Sequence, residues 1–281
     1  MAMSPASRKS LVVLNGGSRR GPGRVWLVGA GPGDPELLTI KALNALRSAD
    51  VIVHDGLVSP EILELAPVKA RRISVAKRRA HHSYGQDEIN RMLVAFAEEG
   101  LEVVRLKGGD PFIFGRGGEE LEACRDAGVS CIVVPGVTSA LAAAAAAGAP
   151  LTHRGVAQAV TFVTGHARNE EIPNLDWPAL ARSNQTVVIY MGLAQAQTIA
   201  AQLLSRGRDP KTPALIVENA SRADERRLVT TLSGLASVAA VLEGPALLMV
   251  GEAMALARSE GVAEPTKAAP PATALSARGL Q

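Results

Sequence analysis

The sequence predicts an α/β protein built from two α/β domains, with sheets that are mostly parallel in the first and mixed in the second. Two observations carry this. Short β-branched runs alternate with stretches of helical apolar spacing from Arg24 onward, the pattern of repeated βα units. An Ala-rich segment then separates a first set of such units from a second, in a chain of 281 residues whose 47% hydrophobic content suffices for two cores. The expected layout is an N-terminal extension over 1–23, a first domain over 24–136, a second over 137–258 and a tail over 259–281. The border is placed near Gly136, just after Val134-Pro135.

In the first set the strand-like runs are 25–28, 51–53, 72–75, 103–106 and 132–134. Leu38, Ala42, Ala45, Leu46 and Ala49 recur at helical spacing, as do Ile89, Leu93, Phe96 and Ala97. The second set has strand-like runs at 160–163, 187–190, 214–217, 228–232 and 246–250, with helices expected over 195–204 and 232–242. The polar segment 219–227, carrying Asp224 and Glu225, reads as a turn between two strands, which makes the second sheet mixed. The halves share an element pattern but no residue-level repeat.

Composition narrows the function classes. No apolar run approaches the ~20 residues that span a bilayer, and the uncharged stretch 132–152 is broken by Pro135, Gly136, Gly148 and Pro150. A net charge of +3 and 3% aromatic residues argue against RNA, which usually wants stacking platforms. Two cysteines, Cys124 and Cys131, are too few for a disulfide framework or a zinc site and read as core thiols, which fits a reducing cytoplasm. The five histidines show no metal-ligand spacing. The acid-free start (Arg8, Lys9, Arg19, Arg20, Arg24) resembles a transit peptide, but a flexible extension is the expectation, because Leu11-Val12-Val13-Leu14 is too short for a secretory core. A Pro- and Ala-rich end reads as a disordered tail.

In open α/β sheets the ligand lies beyond the carboxyl ends of the strands, and the unusual residues fall there. The first loop, Gly29-Ala30-Gly31-Pro32-Gly33-Asp34-Pro35, looks like a dinucleotide fingerprint. It departs from one twice: Pro32 removes a backbone donor, and Asp34 stands where glycine is wanted. Asp34-Pro35 reads instead as a helix cap followed by Pro at the first helical position. Asp55, after the second strand, is either a turn-forming acid before Gly56 or a general base. The basic loop Lys77-Arg78-Arg79-Ala80-His81-His82 is either a solvated face or a site for a small polycarboxylate.

The run 104–120 is the most informative. A strand stops at Gly108-Gly109-Asp110-Pro111, and a second glycine cluster around Gly115 precedes the next helix. Glycine costs roughly 0.5–1 kcal/mol relative to Ala inside an element, and βα loops usually run about 2–6 residues. A longer, glycine-rich loop flanked by Lys107 and Arg116 is better explained by a ligand. Thr138 and Ser139 are either a helix cap or hydroxyls facing that ligand. His153 and His166 stand on further polar loops, and structural and functional roles are equally open for both.

Several motifs now fall in one order: the first loop, Asp55-Gly56-Leu57-Val58-Ser59, the run 105–120 and Val134-Pro135-Gly136-Val137-Thr138-Ser139. Pro150 to Gly155, Thr164-Gly165-His166, Tyr190-Met191-Gly192-Leu193 and Thr212-Pro213 follow. Together, over about 24–257, they resemble the tetrapyrrole methylase superfamily, in its uroporphyrinogen-III C-methyltransferase branch. The match covers the methylase alone, with no room for the dehydrogenase/chelatase module of multifunctional sirohaem synthases. The resemblance implies the tetrapyrrole methylase fold, an active site in the cleft between the domains, and usually a cytoplasmic homodimer. It implies S-adenosyl-L-methionine as methyl donor, leaving as S-adenosyl-L-homocysteine, with no metal, nucleic acid or membrane partner. Uroporphyrinogen III would be methylated at C-2 and C-7 to give precorrin-2, for sirohaem or cobalamin biosynthesis.

Donor contacts carry over to Pro32, Gly108, Gly109, Asp110, Ile113, Thr138, Ser139, Met191, Ala220 and Ala246. The proton-handling pair carries over to Asp55 and Lys77, while Arg78, Arg79 and Arg116 are expected to hold the substrate's carboxylate arms. Ala76 and Ala220 stand where relatives often have Gly, which touches the pose of Lys77 and the adenosine pocket. The competing readings are a same-fold methylase acting on a later precorrin, a nucleotide-binding oxidoreductase and a non-catalytic binding module.

Overall fold

Ten strands form two five-stranded sheets in a computed structural model that describes residues 21–76, 84–166 and 173–258. The chain divides into two compact units, one ending at Ala142 and the other beginning at Ala143. That division falls inside the Ala-rich helix rather than at the Val134-Pro135 turn before it. The expected extension, except residues 21–23, and the expected tail lie outside the described residues. Among the described residues no helix is long and apolar enough to cross a membrane.

The first unit holds β1 (Arg24–Gly29), β2 (Val51–His54), β3 (Arg71–Ser74), β4 (Glu102–Lys107) and β5 (Ser130–Val134), in the order β3-β2-β4-β1-β5. All pairings are parallel. A parallel sheet needs both faces covered, and alternation along each strand serves both. Val28, Ile52, Val104 and Leu106 pack with Ala42, Leu46 and Ile62 of α1 (Ile40–Ser48) and α2 (Pro60–Glu64). Val25, Leu27, Val51, Val53 and Val103 face the other way, against Ile89, Leu93 and Cys124 of α3 (Gln86–Glu98) and α4 (Gly117–Asp126). Arg105 and Lys107 alternate onto this second face of the central strand. Helix α5 (Ser139–Ala147) follows β5.

The second unit orders its strands β6-β7-β10-β8-β9, with β6 (Ala159–Thr164), β7 (Gln185–Tyr190), β8 (Pro213–Glu218), β9 (Arg226–Thr231) and β10 (Ala246–Val250). Only β6 and β7 pair in parallel, and β10 and β9 are antiparallel to their neighbours. The sheet is therefore mixed, as the polar 219–227 turn predicts. Helices α6 (Trp177–Leu180), α7 (Ala196–Ser205) and α8 (Leu235–Ala239) belong to this unit. Val187, Ile189, Ile199, Leu203, Ile216, Leu232 and Leu248 form its core.

Local signals explain several helix starts. Thr39 caps α1 by accepting from the Ala42 amide at 3.1 Å, and Asp176 caps α6 from the Ala179 amide at 3.0 Å. Asp34 caps a short 3-10 turn, Pro35–Leu37, as the Asp-Pro pair predicts. Helices α2 and α6 are too short, at five and four residues, for periodicity to announce them. The segment 232–242 splits into a 3-10 turn (Leu232–Gly234) and α8 where a single helix is expected. Cys124 and Cys131 are both free thiols.

Candidate active site

The carboxyl ends of the first sheet gather one set of loops. Pro32 follows β1, Asp55 follows β2, Gly108-Gly109-Asp110 follows β4, and Thr138-Ser139 lies just beyond β5. Two of these loops are stitched together by backbone. The Gly31 and Gly109 amides each donate to the other's carbonyl at 3.1 and 2.7 Å, and the Ala30 amide donates to the Lys107 carbonyl at 2.7 Å. A third strand end closes on them with no room for side chains. A Cβ on Gly136 would lie 2.2 Å from the Gly109 carbonyl oxygen and 2.8 Å from Gly29 Cα. Gly109 itself has φ +66, a conformation natural to glycine.

Asp110 finishes this arrangement. Its Oδ1 accepts from the Phe112 amide at 2.8 Å and its Oδ2 from the Gly136 amide at 3.0 Å. One carboxylate thus turns its own loop and ties it to the loop after β5. Gly109 faces Thr138 Cα and the Ser139 amide, each 3.8 Å from the position of a Cβ, an ordinary packing distance. Thr138 is buried, and its carbonyl accepts from the Leu141 amide at 3.0 Å. Ile113 is half-buried in the same loop, with its amide donating to the Asp110 carbonyl at 3.3 Å.

The Asp55 carboxylate turns inward, to the Arg105 guanidinium at 2.5 Å, rather than back to the amides of its own turn. Its side chain is 31% exposed, so it joins the protein interior to the loop cluster. Beneath it, Arg105 Nε and Lys107 Nζ both meet Glu120 Oε1 of α4, at 2.8 and 3.1 Å. Lys107 Nζ lies 3.9 Å from Asp55 Oδ2. Burial and the neighbouring Arg105 charge pull the Lys107 ammonium below its ordinary value, against the pull of Glu120 and Asp55. For Arg105 burial acts downward too, but Asp55 and Glu120 together outweigh it and hold the guanidinium above its usual value.

Arg116 is not part of this set. It lies at the start of α4 in the left-handed region (φ 59), exposed, and pairs with Glu119 at 2.7 Å. That hydrogen bond is the main cause raising its pKa. Lys77, Arg78 and Arg79, with His81 and His82, lie outside the described residues. In the second unit Met191 follows β7, Ala220 follows β8, and Ala246 opens β10, at one end of the three central strands of the sheet. Met191 is half exposed with φ 53, and Ala220 is buried between Asn219 and Ser221, both left-handed.

Sequence reasoning missed Glu120 and Glu218 and passed over Arg105. The signal was present. Arg105 and Lys107 interrupt Val103, Val104 and Leu106 in what is otherwise a buried parallel strand, and Glu120 takes a helix position flanked on its face by buried Gly117 and Cys124. Charges at core positions call for partners.

The model of the Tetrapyrrole (Corrin/Porphyrin) Methylases matches residues 24–236, well over half of the chain. Siroheme synthase 1 of Yersinia enterocolitica is 51% identical over 240 residues, which are 85% of this chain and 51% of that protein. The siroheme synthase of Psychromonas ingrahamii is 53% identical over 235 residues, 84% of this chain and 50% of its own length. The chain therefore spans about half the length of these relatives. Among solved structures, the uroporphyrin-III C-methyl transferase of Thermus thermophilus, complexed with S-adenyl homocysteine, is 44% identical with a TM-score of 0.73, covering 83% of this chain and all of that one. A cobalt precorrin-4 methyltransferase is 29% identical with a TM-score of 0.74, covering 82% of this chain and 95% of that one. On the family match and these identities, the chain belongs to the tetrapyrrole (corrin/porphyrin) methylases.

Proposed function

We propose that this chain is an S-adenosyl-L-methionine-dependent C-methyltransferase that methylates uroporphyrinogen III at C-2 and C-7 to give precorrin-2. The observation that carries the reading is the interlocked loop set after β1, β4 and β5, where Gly31, Gly109 and Gly136 bring three backbones together at the carboxyl ends of the strands. These residues suit the donor: it has no phosphate to demand an array of amides, and Pro32 offers none. Gly108, Gly109, Asp110, Ile113, Thr138 and Ser139 would hold the donor from the first unit, and Met191, Ala220 and Ala246 from the second.

The donor supplies a methyl group on a sulfonium, whose positive charge already drives transfer to a nucleophilic pyrrole carbon. The protein's task is then mostly orientation, which supplies on the order of 7–11 kcal/mol in favourable cases. After each transfer the macrocycle carbon framework must lose a proton. Asp55, with its carboxylate fixed by Arg105 at the mouth of the site, is the acceptor in this reading. Lys77, Arg78, Arg79 and Arg116 would take the acetate and propionate arms. The same reading carries a homodimer, testable by light scattering, and a cytoplasmic setting that suits the two free thiols.

Purified protein mixed with uroporphyrinogen III and S-adenosyl-L-methionine is expected to yield a product two methyl groups heavier. Inert uroporphyrinogen III together with turnover of a later precorrin would overturn the substrate assignment, and the likeness to a precorrin-4 methyltransferase makes that the outcome to look for. Asp55→Asn is expected to bind S-adenosyl-L-homocysteine normally and to form product at least tenfold more slowly in a single turnover. A native rate would end the role given to Asp55.

A further inference from the structure

The central strand of a covered parallel sheet is the least favourable place for charge, and β4 carries two cations there. Arg105 and Lys107, two residues apart, fall on the same face and are 2% and 3% exposed. Glu120, which answers them from α4, has no exposure at all. Apolar side chains of similar volume often replace such buried ion sets without loss of stability. The set therefore calls for an explanation other than the fold, and its outer end is Asp55.

The geometry is directional. Glu120 Oε1 gathers Arg105 Nε at 2.8 Å, Lys107 Nζ at 3.1 Å and Gln86 Nε2 of α3 at 3.3 Å. Arg105 Nη1 also donates to the Val53 and Leu106 carbonyls, both at 3.3 Å. With Nε and Nη1 fixed, the guanidinium has one orientation, and Nη2 takes Asp55 Oδ1. Lys107 is drawn to Glu120 and stops 3.9 Å short of Asp55 Oδ2, outside hydrogen-bonding reach. We propose that Glu120 is a positioning residue for proton removal: it aims Arg105 at one oxygen of Asp55 and holds Lys107 away from the other. Without the Glu120 charge, Lys107 closes on Asp55, both carboxylate oxygens are engaged by cations, and the carboxylate no longer serves as a proton acceptor.

This inference rests on the reading of Asp55 as the acceptor, and the experiment separates the two. Product formation is measured per donor-binding site, with sites counted by calorimetric titration with S-adenosyl-L-homocysteine, so that misfolded protein does not enter the rate. Glu120→Gln is expected to lower kcat at least tenfold, with KM for both substrates and the S-adenosyl-L-homocysteine Kd within threefold of native. Adding Lys107→Met removes the competing cation and is expected to restore kcat at least fivefold. Glu120→Asp keeps the charge but withdraws the carboxylate by one methylene; it is expected to lower kcat in the same way, and it provides the reading if Glu120→Gln does not fold.

A kcat within twofold of native in the folded Glu120 variant overturns the proposal. So does a loss of donor affinity in parallel with kcat, or a double variant no faster than its Glu120→Gln parent. If Asp55→Asn itself forms product at the native rate, the assignment of Asp55 fails first. If Asp55→Asn is slow and the Glu120 variants are not, the inference about Glu120 fails alone.

Discussion

Among the described residues each unit buries one glutamate, Glu120 or Glu218, and the two are partnered in opposite ways. Glu120, wholly inside the first unit, bonds to side chains: Arg105, Lys107 and Gln86. Glu218, 5% exposed at the end of β8 in the second unit, bonds to backbone. Its Oε1 accepts from the amides of Glu243 and Gly244 at 2.9 and 2.6 Å, and its Oε2 pairs with Arg226 at 3.3 Å. A carboxylate that grips two successive amides fixes a loop, here the one leading into Ala246, which lies opposite Glu218 in the register. A carboxylate that grips two cations fixes the direction of side chains, here toward Asp55. In the proposed function the first arrangement would serve a binding wall and the second a reacting group.

The comparison breaks most visibly on stability. Glu120→Ala leaves two buried cations with Asp55 as their remaining carboxylate, and removing one partner of a buried ion set costs about 3–5 kcal/mol. Chemical denaturation is expected to show a loss of that size, partly recovered when Lys107→Met is added. Glu218→Ala is expected to cost less, about 1–3 kcal/mol, since it orphans two amides rather than two charges. The lower end applies because Glu243 is exposed and its amide can take water. Its sharper consequence is for binding: S-adenosyl-L-homocysteine affinity falls by calorimetry, while Glu218→Gln, which keeps an oxygen for the amides, retains most of it. Equal affinity in Glu218→Ala would show that the loop before Ala246 does not serve the donor.

Asp110 belongs with Glu218 by chemistry, though it lies in the first unit, because both of its oxygens go to backbone amides. Losing two such hydrogen bonds to Asp110→Ala is expected to cost about 1 kcal/mol each. Donor binding is expected to weaken with it, while the single-turnover rate at saturating donor changes less than for Asp55→Asn. Native donor affinity in Asp110→Ala would remove Asp110 from the wall.

How much of this was legible in the sequence follows the range of the interactions involved. Every strand of both sheets was announced by β-branched runs, because strand burial repeats along the chain. The antiparallel β8–β9 pairing was announced by the polar turn between them. Asp110 and the glycines stood out because their loop breaks local rules. Glu120 and Glu218 did not, because an acid on a helix or at a strand end looks like solvated surface until its distant partners are in place. Arg105 meets Asp55 and Glu120 across fifty and fifteen residues, a separation that no local pattern encodes. Asp55 illustrates the middle case. Its position before Gly56 fits a turn and a functional carboxylate equally, and both features are present: the Asp55 carbonyl accepts from the Val58 amide at 3.4 Å, while the side chain goes inward to Arg105.

The smallest effect tests whether Lys107 is held in place against its own protonation. Burial and Arg105 depress its pKa below the ordinary 10.5. Between the folded value and the unfolded one, the unfolded chain binds more protons, so stability rises with pH across that window. Below the folded value the ammonium is charged in both states, and its full unfavourable contribution is present. The stability of the native protein is therefore expected to climb on the alkaline side as pH approaches 10.5, relative to Lys107→Met, which has nothing to deprotonate there. The Glu218 region supplies the control: Arg226→Met, which removes the cation paired with Glu218, is expected to leave the alkaline slope as it is in the native protein. Parallel stability profiles for native protein and Lys107→Met, measured by urea denaturation at successive pH values, would mean that Glu120 and Asp55 fully compensate the buried charge. Lys107 would then be an ordinary ion-pair partner rather than a cation held back from Asp55.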